Sequence, residues 1–196
     1  MSTVRISPLE APYDNTVAAT FAKFLPQGME PLKLFRTQAN NPRVLQRMFA
    51  GNLLDEGTIS QRAREFIILR TCFRCGCEYE WGVHVALFSK SAALVEADVA
   101  ATLACDSSLR LLPESEACLL RAADELHDTS TISEQLWTVL ARHYSPAQLI
   151  EIIALAGNYH AICFVTNAAG VELEAFAPRF PRRDAKACRQ SVMVTL

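Results

Sequence analysis

The chain lacks the features that would commit it to a membrane, a secretory route or a nucleic acid. No window reaches the roughly 18 uninterrupted apolar residues that a membrane span needs. The opening run MSTVRISPLEAPYDN has no apolar core of a signal peptide. A cytoplasmic protein with no membrane partner is therefore expected. Lys and Arg total 19 against 21 Asp and Glu, for a formal net charge of -2, and the two signs are interspersed. That distribution supplies no basic field to hold a phosphate backbone, so no nucleic-acid partner is expected. The one basic cluster, Arg179, Arg182 and Arg183, sits beside Asp184 among Pro178 and Pro181 and reads as a solvated face. No stretch alternates as a strand, and no low-complexity segment appears. Glu65-Phe-Ile-Ile-Leu and Glu151-Ile-Ile-Ala-Leu are too short and too common a pattern to establish a repeat.

The seven cysteines (72, 75, 77, 105, 118, 163 and 188) are odd in number and irregularly spaced, which argues against a disulfide framework. Most lie in apolar helical patterns and read as reduced, buried thiols that pack as small hydrophobes. Of the 196 residues 51% are hydrophobic, enough for one sizeable core or a core plus a subunit interface. The expected organisation is an N-terminal extension with short helices over 1–41, a helical domain over 42–170 and a tail over 171–196. The stretch from Ala177 to Leu196 is expected either to lie on a neighbouring subunit or to be disordered.

Helix follows helix along the chain. Asn15 or Thr16 is expected to cap a first helix to Phe24. Pro31 should open a second through Gln38, and Pro42 a third to about Leu54 that stops near Gly57. Ser60 caps a helix to about Phe73, Gly76 interrupts, and a new helix runs from Cys77 to about Phe88. Val95–Ala104 and Glu114–His127 carry the 3.6-residue spacing of half-buried helices. Thr131 with Glu134, and Ser145 with Gln148, have capping-box spacing. The last long helix should run from Pro146 to about Ala169 and end at Gly170.

The chemistry concentrates in EFIILRTCFRCGCEYEWGVH, Glu65 to His84, where three cysteines, three glutamates and a histidine interrupt an apolar helical pattern. At about 100° per residue, Cys77, Glu80 and His84 fall on one stripe. A thiol, a carboxylate and an imidazole are then expected within reach of each other, with Glu65 as a second carboxyl able to keep Glu80 protonated. In the first turn of its helix, Cys77 would gain about 0.3 to 1 kcal/mol from the dipole, less than one pKa unit, and Glu78 and Glu80 oppose that. The bland alternative is an ordinary helix-surface Glu80–His84 pair worth about 0.2 to 0.5 kcal/mol. Cys72 and Cys75 form a Cys-x-x-Cys at a helix end and read as core thiols. Metal binding by Cys72, Cys75, Cys77 and His84 is disfavoured because Cys75 and Cys77 point to opposite faces of a continuous helix, so no metal and no cofactor are expected.

The string Glu65, eleven residues, then Cys77-Glu78-Tyr79-Glu80-Trp81 and His84 resembles the carboxymuconolactone decarboxylase family, which includes the alkyl hydroperoxidase D proteins. The similarity runs from about Pro42 to Gly170 and includes LIEIIALAGNYHAICFVTNAAGVE. It implies an all-α, alkyl hydroperoxidase D-like orthogonal helical bundle in a homo-oligomer, trimer or hexamer with dimer as the variant, acting on a small-molecule substrate. By that resemblance Glu65, Cys77, Glu80 and His84 are the candidate catalytic residues. Tyr79, Trp81, Tyr159 and His160 are the candidate substrate contacts. The hydroperoxidase branch has a second cysteine where this chain has Glu80 and a histidine where it has Tyr79. Glu80 cannot resolve a sulfenic acid. Three readings stand: a cofactor-independent acid-base enzyme acting on a small carboxylated or lactone-like substrate, a peroxiredoxin-type thiol peroxidase using Cys77, and a non-catalytic ligand-binding oligomer. For the first reading the sequence shows no evident arginine clamp for a substrate carboxylate, since the facing of Arg70 and Arg74 is open.

Overall fold

The computed structural model describes residues 3–51, 53–104, 109 and 111–181. Cys105, Cys188, Arg182, Arg183 and Asp184 lie outside them. Among the described residues the chain forms α1 (Asn15–Phe24), α2 (Lys33–Gln38), α3 (Pro42–Ala50), α4 (Gln61–Arg74), α5 (Glu78–Phe88), α6 (Glu96–Ala101), α7 (Glu114–Thr129), α8 (Glu134–His143) and α9 (Pro146–Ala169), with no strand.

Local chemistry explains the boundaries. Asp14, not Asn15 or Thr16, caps α1, its Oδ1 accepting from the amides of Thr16 and Val17. Asn41 caps α3, and that helix ends at Ala50, short of the expected Leu54. Ser60 accepts from Ala63 N and starts α4. At the other end of α4, Gly76 takes a left-handed φ of 61°. Cys77 N then donates to Cys72 O at 2.8 Å and Gly76 N to Phe73 O at 3.0 Å, a Schellman closure that turns the chain directly into α5. Ser133 rather than Thr131 caps α8, because Glu125 pins the Ser133 amide and hydroxyl while Ser133 Oγ accepts from Leu136 N. The Ser145–Gln148 capping box forms as expected, and Gly170 at φ 65° closes α9.

Helix α4 is the hub and packs against α5, α7 and α9. Phe66, Ile67, Ile68, Leu69 and Cys72 are all fully buried, as in a helix apolar on every side. Its buried charges are paired: Arg70 forks onto Asp124 of α7 at 2.7 Å twice and also donates to the carbonyls of Thr102 and Ala104. Helix α9 is long and apolar enough to cross a membrane by composition. Its inner stripe, Leu149, Ile152, Leu155, Tyr159, Ile162 and Thr166, is nevertheless buried in the bundle. A smaller cluster around Val17, Phe21, Leu45 and Phe49 joins α1 to α3.

The segment 171–181, expected from Ala177 onward to lie on a neighbouring subunit or be disordered, straps back over α5 of its own chain. Glu174 Oε1 accepts from Lys33 N and from the Tyr79 hydroxyl, both at 2.7 Å, and Phe180 N donates to Glu78 Oε1. Phe180 packs on Trp81 and Phe73. A Cβ at Gly82 would lie 2.4 Å from Pro178 O, so the strap requires a glycine there.

Candidate active site

Three helices bring one polar chain together. Glu65 comes from α4, Glu80 and His84 from α5, and Tyr159 from α9. His84 Nδ1 lies 2.8 Å from Glu65 Oε2, and His84 Nε2 lies 2.9 Å from the Tyr159 hydroxyl. Glu80 Oε2 stands 3.9 Å from the same Nε2. With Glu65 ionised, the network assigns the proton of the neutral imidazole to Nδ1, so that Nε2 offers its lone pair and accepts from Tyr159. Glu65 is fully buried and His84 is 3% exposed. The Glu65 charge is compensated from behind by Arg64, whose Nε is 3.5 Å from Oε1, and Arg64 is itself anchored on the carbonyls of Leu54 and Asp55.

Burial sets the protonation of the other two groups. It raises the Glu80 carboxyl above its ordinary value, outweighing the opposing pull of His84. It also holds the Tyr159 phenol well above its ordinary value, with the nearby Glu80 and Glu65 carboxylates adding to the effect. Glu80 is thus a neutral proton donor over a wider pH range than a solvated glutamate, and Tyr159 stays protonated.

His84, Glu80 and Tyr159 form one polar wall of a cavity of about 470 Å³. The remaining lining is apolar apart from Glu30: Leu34, Phe35, Met48, Phe49, Leu87 and Phe88 close around it, with Phe24, Leu25 and Met29 from the N-terminal segment. No lysine or arginine is among the described residues that line it. Both Arg70, tied to Asp124, and Arg74, tied to Asp128, face away from it. The N-terminal walls were not read as part of the site from the sequence. Their only signal is the apolar density from Phe24 to Phe35, which any packed extension would share.

The single stripe expected for Cys77, Glu80 and His84 is not what the backbone builds. Cys77 is the N-cap of α5, with a non-helical φ, ψ of -91°, 81°. That dihedral turns its thiol away from the Glu80–His84 line into dry core beside Cys72 and Cys163, and it does not line the cavity. Cys163 and Cys72 are 3.8 Å apart at sulfur. Tyr79 and Trp81, one residue either side of Glu80 and so about 100° around the helix, also point elsewhere. The Tyr79 hydroxyl accepts from Leu34 N and donates to Glu174, while Trp81 Nε1 faces Thr102 and its ring meets the strap. His160, one step from Tyr159, faces His127 and Cys75. Tyr159 alone of the four expected substrate contacts reaches the cavity.

Residues 42–125 match the carboxymuconolactone decarboxylase family model. Among solved structures, an uncharacterized peroxidase-related protein from Silicibacter sp. TM1040 superposes with a TM-score of 0.69 at 20% identity, covering 90% of this chain and 96% of that one. An alkylhydroperoxidase core, an uncharacterized peroxidase-related protein from Ralstonia eutropha JMP134, gives 0.67 at 20% identity over 87% and 93%. A cysteine-to-alanine variant of the debrominase Bmp8, in complex with 2,3,4-tribromopyrrole, gives 0.66 at 19% identity over 89% and 94%. No curated protein matches the sequence. The all-helical bundle expected from the motif is therefore the fold observed: residues 42–125 match the carboxymuconolactone decarboxylase family model, and the bundle shares the fold of these peroxidase-related and alkylhydroperoxidase core structures.

Proposed function

We propose that the protein is a cofactor-independent acid-base enzyme that moves a proton at carbon in a small, lactone-like substrate. The observation that carries this reading is the Glu65–His84–Tyr159 relay ending, with a neutral Glu80, on a polar wall of an apolar cavity that no thiol lines among the described residues. His84 Nε2 takes a proton from a carbon next to the substrate carbonyl, directly or through the Tyr159 hydroxyl, and the electron pair passes to the carbonyl oxygen. Glu80 donates a hydrogen bond to that oxygen as its charge develops, and Glu65 stabilises the imidazolium. Return of the proton to carbon completes the cycle.

The cavity also narrows the substrate. Among the described residues the cavity walls carry no lysine or arginine to pair with a free carboxylate, so a neutral lactone or ester is favoured over the carboxylated substrate that the family resemblance implies. A cavity of this volume suits a single small ring. The tribromopyrrole held by a protein of the same fold is compatible with that size class.

A thiol peroxidase is the second reading, favoured by the clustering of Cys72, Cys75, Cys77 and Cys163. Cys75 is half-buried, and the neighbouring Cys163 thiol together with His160 and His127 pulls it below the ordinary thiol range. In that chemistry the thiolate attacks the hydroperoxide, an S–O bond forms as the O–O bond breaks and the alcohol leaves. A second thiol then expels water to close a disulfide, which an external thiol must reduce.

Turnover of a panel of small lactones and enolisable esters, followed by solvent deuterium incorporation, separates the two. His84→Gln is expected to lose about 10²- to 10⁴-fold in rate, and Cys77→Ser to stay within a few-fold of wild type. Each lactone should bind more tightly than its hydrolysed acid. Loss of all turnover in Cys77→Ser or Cys75→Ser with His84→Gln active, or a thiol-dependent reduction of hydroperoxide as the sole reaction, would overturn the acid-base reading.

A further inference from the structure

A second cluster of donor atoms lies outside the cavity, where the ends of α4 and α7 meet the middle of α9. Cys75 is the C-cap of α4, His127 lies in the last turn of α7, and His160 lies in α9. Their three donor atoms all fall within 4.8 Å of one another. Cys75 Sγ is 3.8 Å from His127 Nδ1, and His127 Nδ1 is 3.1 Å from His160 Nε2. In a tetrahedron with metal–nitrogen bonds of about 2.05 Å and a metal–sulfur bond of about 2.3 Å, the N···N edge is about 3.3 Å and the N···S edge about 3.6 Å. The two separations match those edges to within a few tenths of an ångström, before any ion has drawn the ligands in.

The surroundings orient the set as a ligand set. His160 Nδ1 donates to Ala156 O at 2.8 Å, which fixes the tautomer and aims the Nε2 lone pair at the cluster. Asn167 Nδ2 holds the Cys75 carbonyl, so the residue carrying the sulfur is itself anchored. With His160 neutral, and its Nε2 therefore an acceptor, a metal-free site satisfies the 3.1 Å contact by a proton on His127 Nδ1. A metal ion replaces that proton and is met by two imidazole lone pairs and a thiolate. All three residues are half-buried, so an ion has access from solvent.

We propose that Cys75, His127 and His160 form a binding site for one borderline-soft divalent ion of the zinc class, with the fourth tetrahedral position open to water or an exogenous ligand. One sulfur and two nitrogens disfavour calcium and magnesium, which require oxygen ligands. Bound there, the ion ties the hub helix α4 to α7 and α9 at their shared corner. The site is independent of His84 and of the acid-base reading.

The test uses the full-length reduced protein titrated with Co²⁺ and then Zn²⁺. One Co²⁺ per chain is expected, with a thiolate-to-cobalt charge-transfer band and tetrahedral d–d bands that Zn²⁺ displaces. Zn²⁺ should also raise the melting temperature. Cys75→Ser should abolish the charge-transfer band, and His160→Gln should weaken Zn²⁺ by more than about 100-fold, beyond the 10- to 100-fold that loss of an outer-shell partner brings. Cys118→Ser, whose thiol is buried elsewhere beside Ser115, should keep the band and the affinity. On wild type alone, ¹⁵N spectra should show His127 protonated at Nδ1 without metal and at Nε2 with it. No charge-transfer band in folded wild type, a band that survives Cys75→Ser, or a His127 tautomer indifferent to Zn²⁺ would each overturn the proposal.

Discussion

Replacing Glu80 with glutamine should stabilise the protein, by an amount that grows as the pH is raised. Glu80 is 5% exposed and its carboxyl is raised above its ordinary value of 4.5, with burial the dominant cause. The neighbouring His84 at 3.9 Å opposes that shift, and burial outweighs it. At pH below the ordinary carboxyl value both the folded and the unfolded chain hold the proton, and the stability associated with Glu80 is fully present. As pH rises the unfolded chain releases its proton while the folded chain keeps it, and wild type loses about 1.36 kcal/mol per pH unit until the folded value is passed. Glu80→Gln keeps the shape and cannot ionise, so it escapes this loss. Other titrating groups are common to both chains and cancel in the difference. Urea denaturation of both proteins from about pH 5 to 8.5 should give equal m-values and a stability gap that opens in favour of the variant. A gap independent of pH, or one that closes as pH rises, would refute the claim that burial keeps Glu80 neutral, and with it the role of Glu80 as proton donor.

Three further substitutions probe the scaffold behind the site. Arg70→Ala should cost about 3 to 5 kcal/mol, because it strips a buried fork from Asp124 and two interhelical carbonyl bonds. Arg74→Ala, at a more exposed pair with Asp128, should cost less than about 1 kcal/mol, and denaturation midpoints in the reverse order would contradict the pairing described. Tyr79→Phe leaves Leu34 N and Glu174 without the shared hydroxyl and should cost about 1 to 3 kcal/mol. It should also speed amide exchange across residues 171–181, and unchanged exchange there would mean that the strap does not depend on Tyr79.

The helical order of the chain was legible in the sequence because caps and breaks are local chemistry. Ser60, Pro42, Gly76, the Ser145–Gln148 box and Gly170 act within a few residues of themselves, and the helices begin and end where they say. Ser133 displaced Thr131 as a cap because Glu125, eight residues upstream and on another helix, holds it. The four-residue spacing of Glu80 and His84 likewise placed them together, since both lie inside a regular helix. Cys77 sits one position earlier than the helix, where the 100° rule no longer applies, and a single non-helical dihedral removed it from the stripe.

Contacts between distant segments followed no local rule. Glu65 was a candidate by motif, but only the crossing of α4 and α5 puts its carboxylate on His84 Nδ1. Only the packing of α9 sets Tyr159 on Nε2 and sends its neighbour His160 to Cys75 and His127. The sequence by itself determined which residues are helical and which acids, thiols and imidazoles are available. The tertiary structure decided which of them share a hollow and which share a corner, because the rotation of one helix against another is set by the packing of whole faces rather than by the spacing of any one motif.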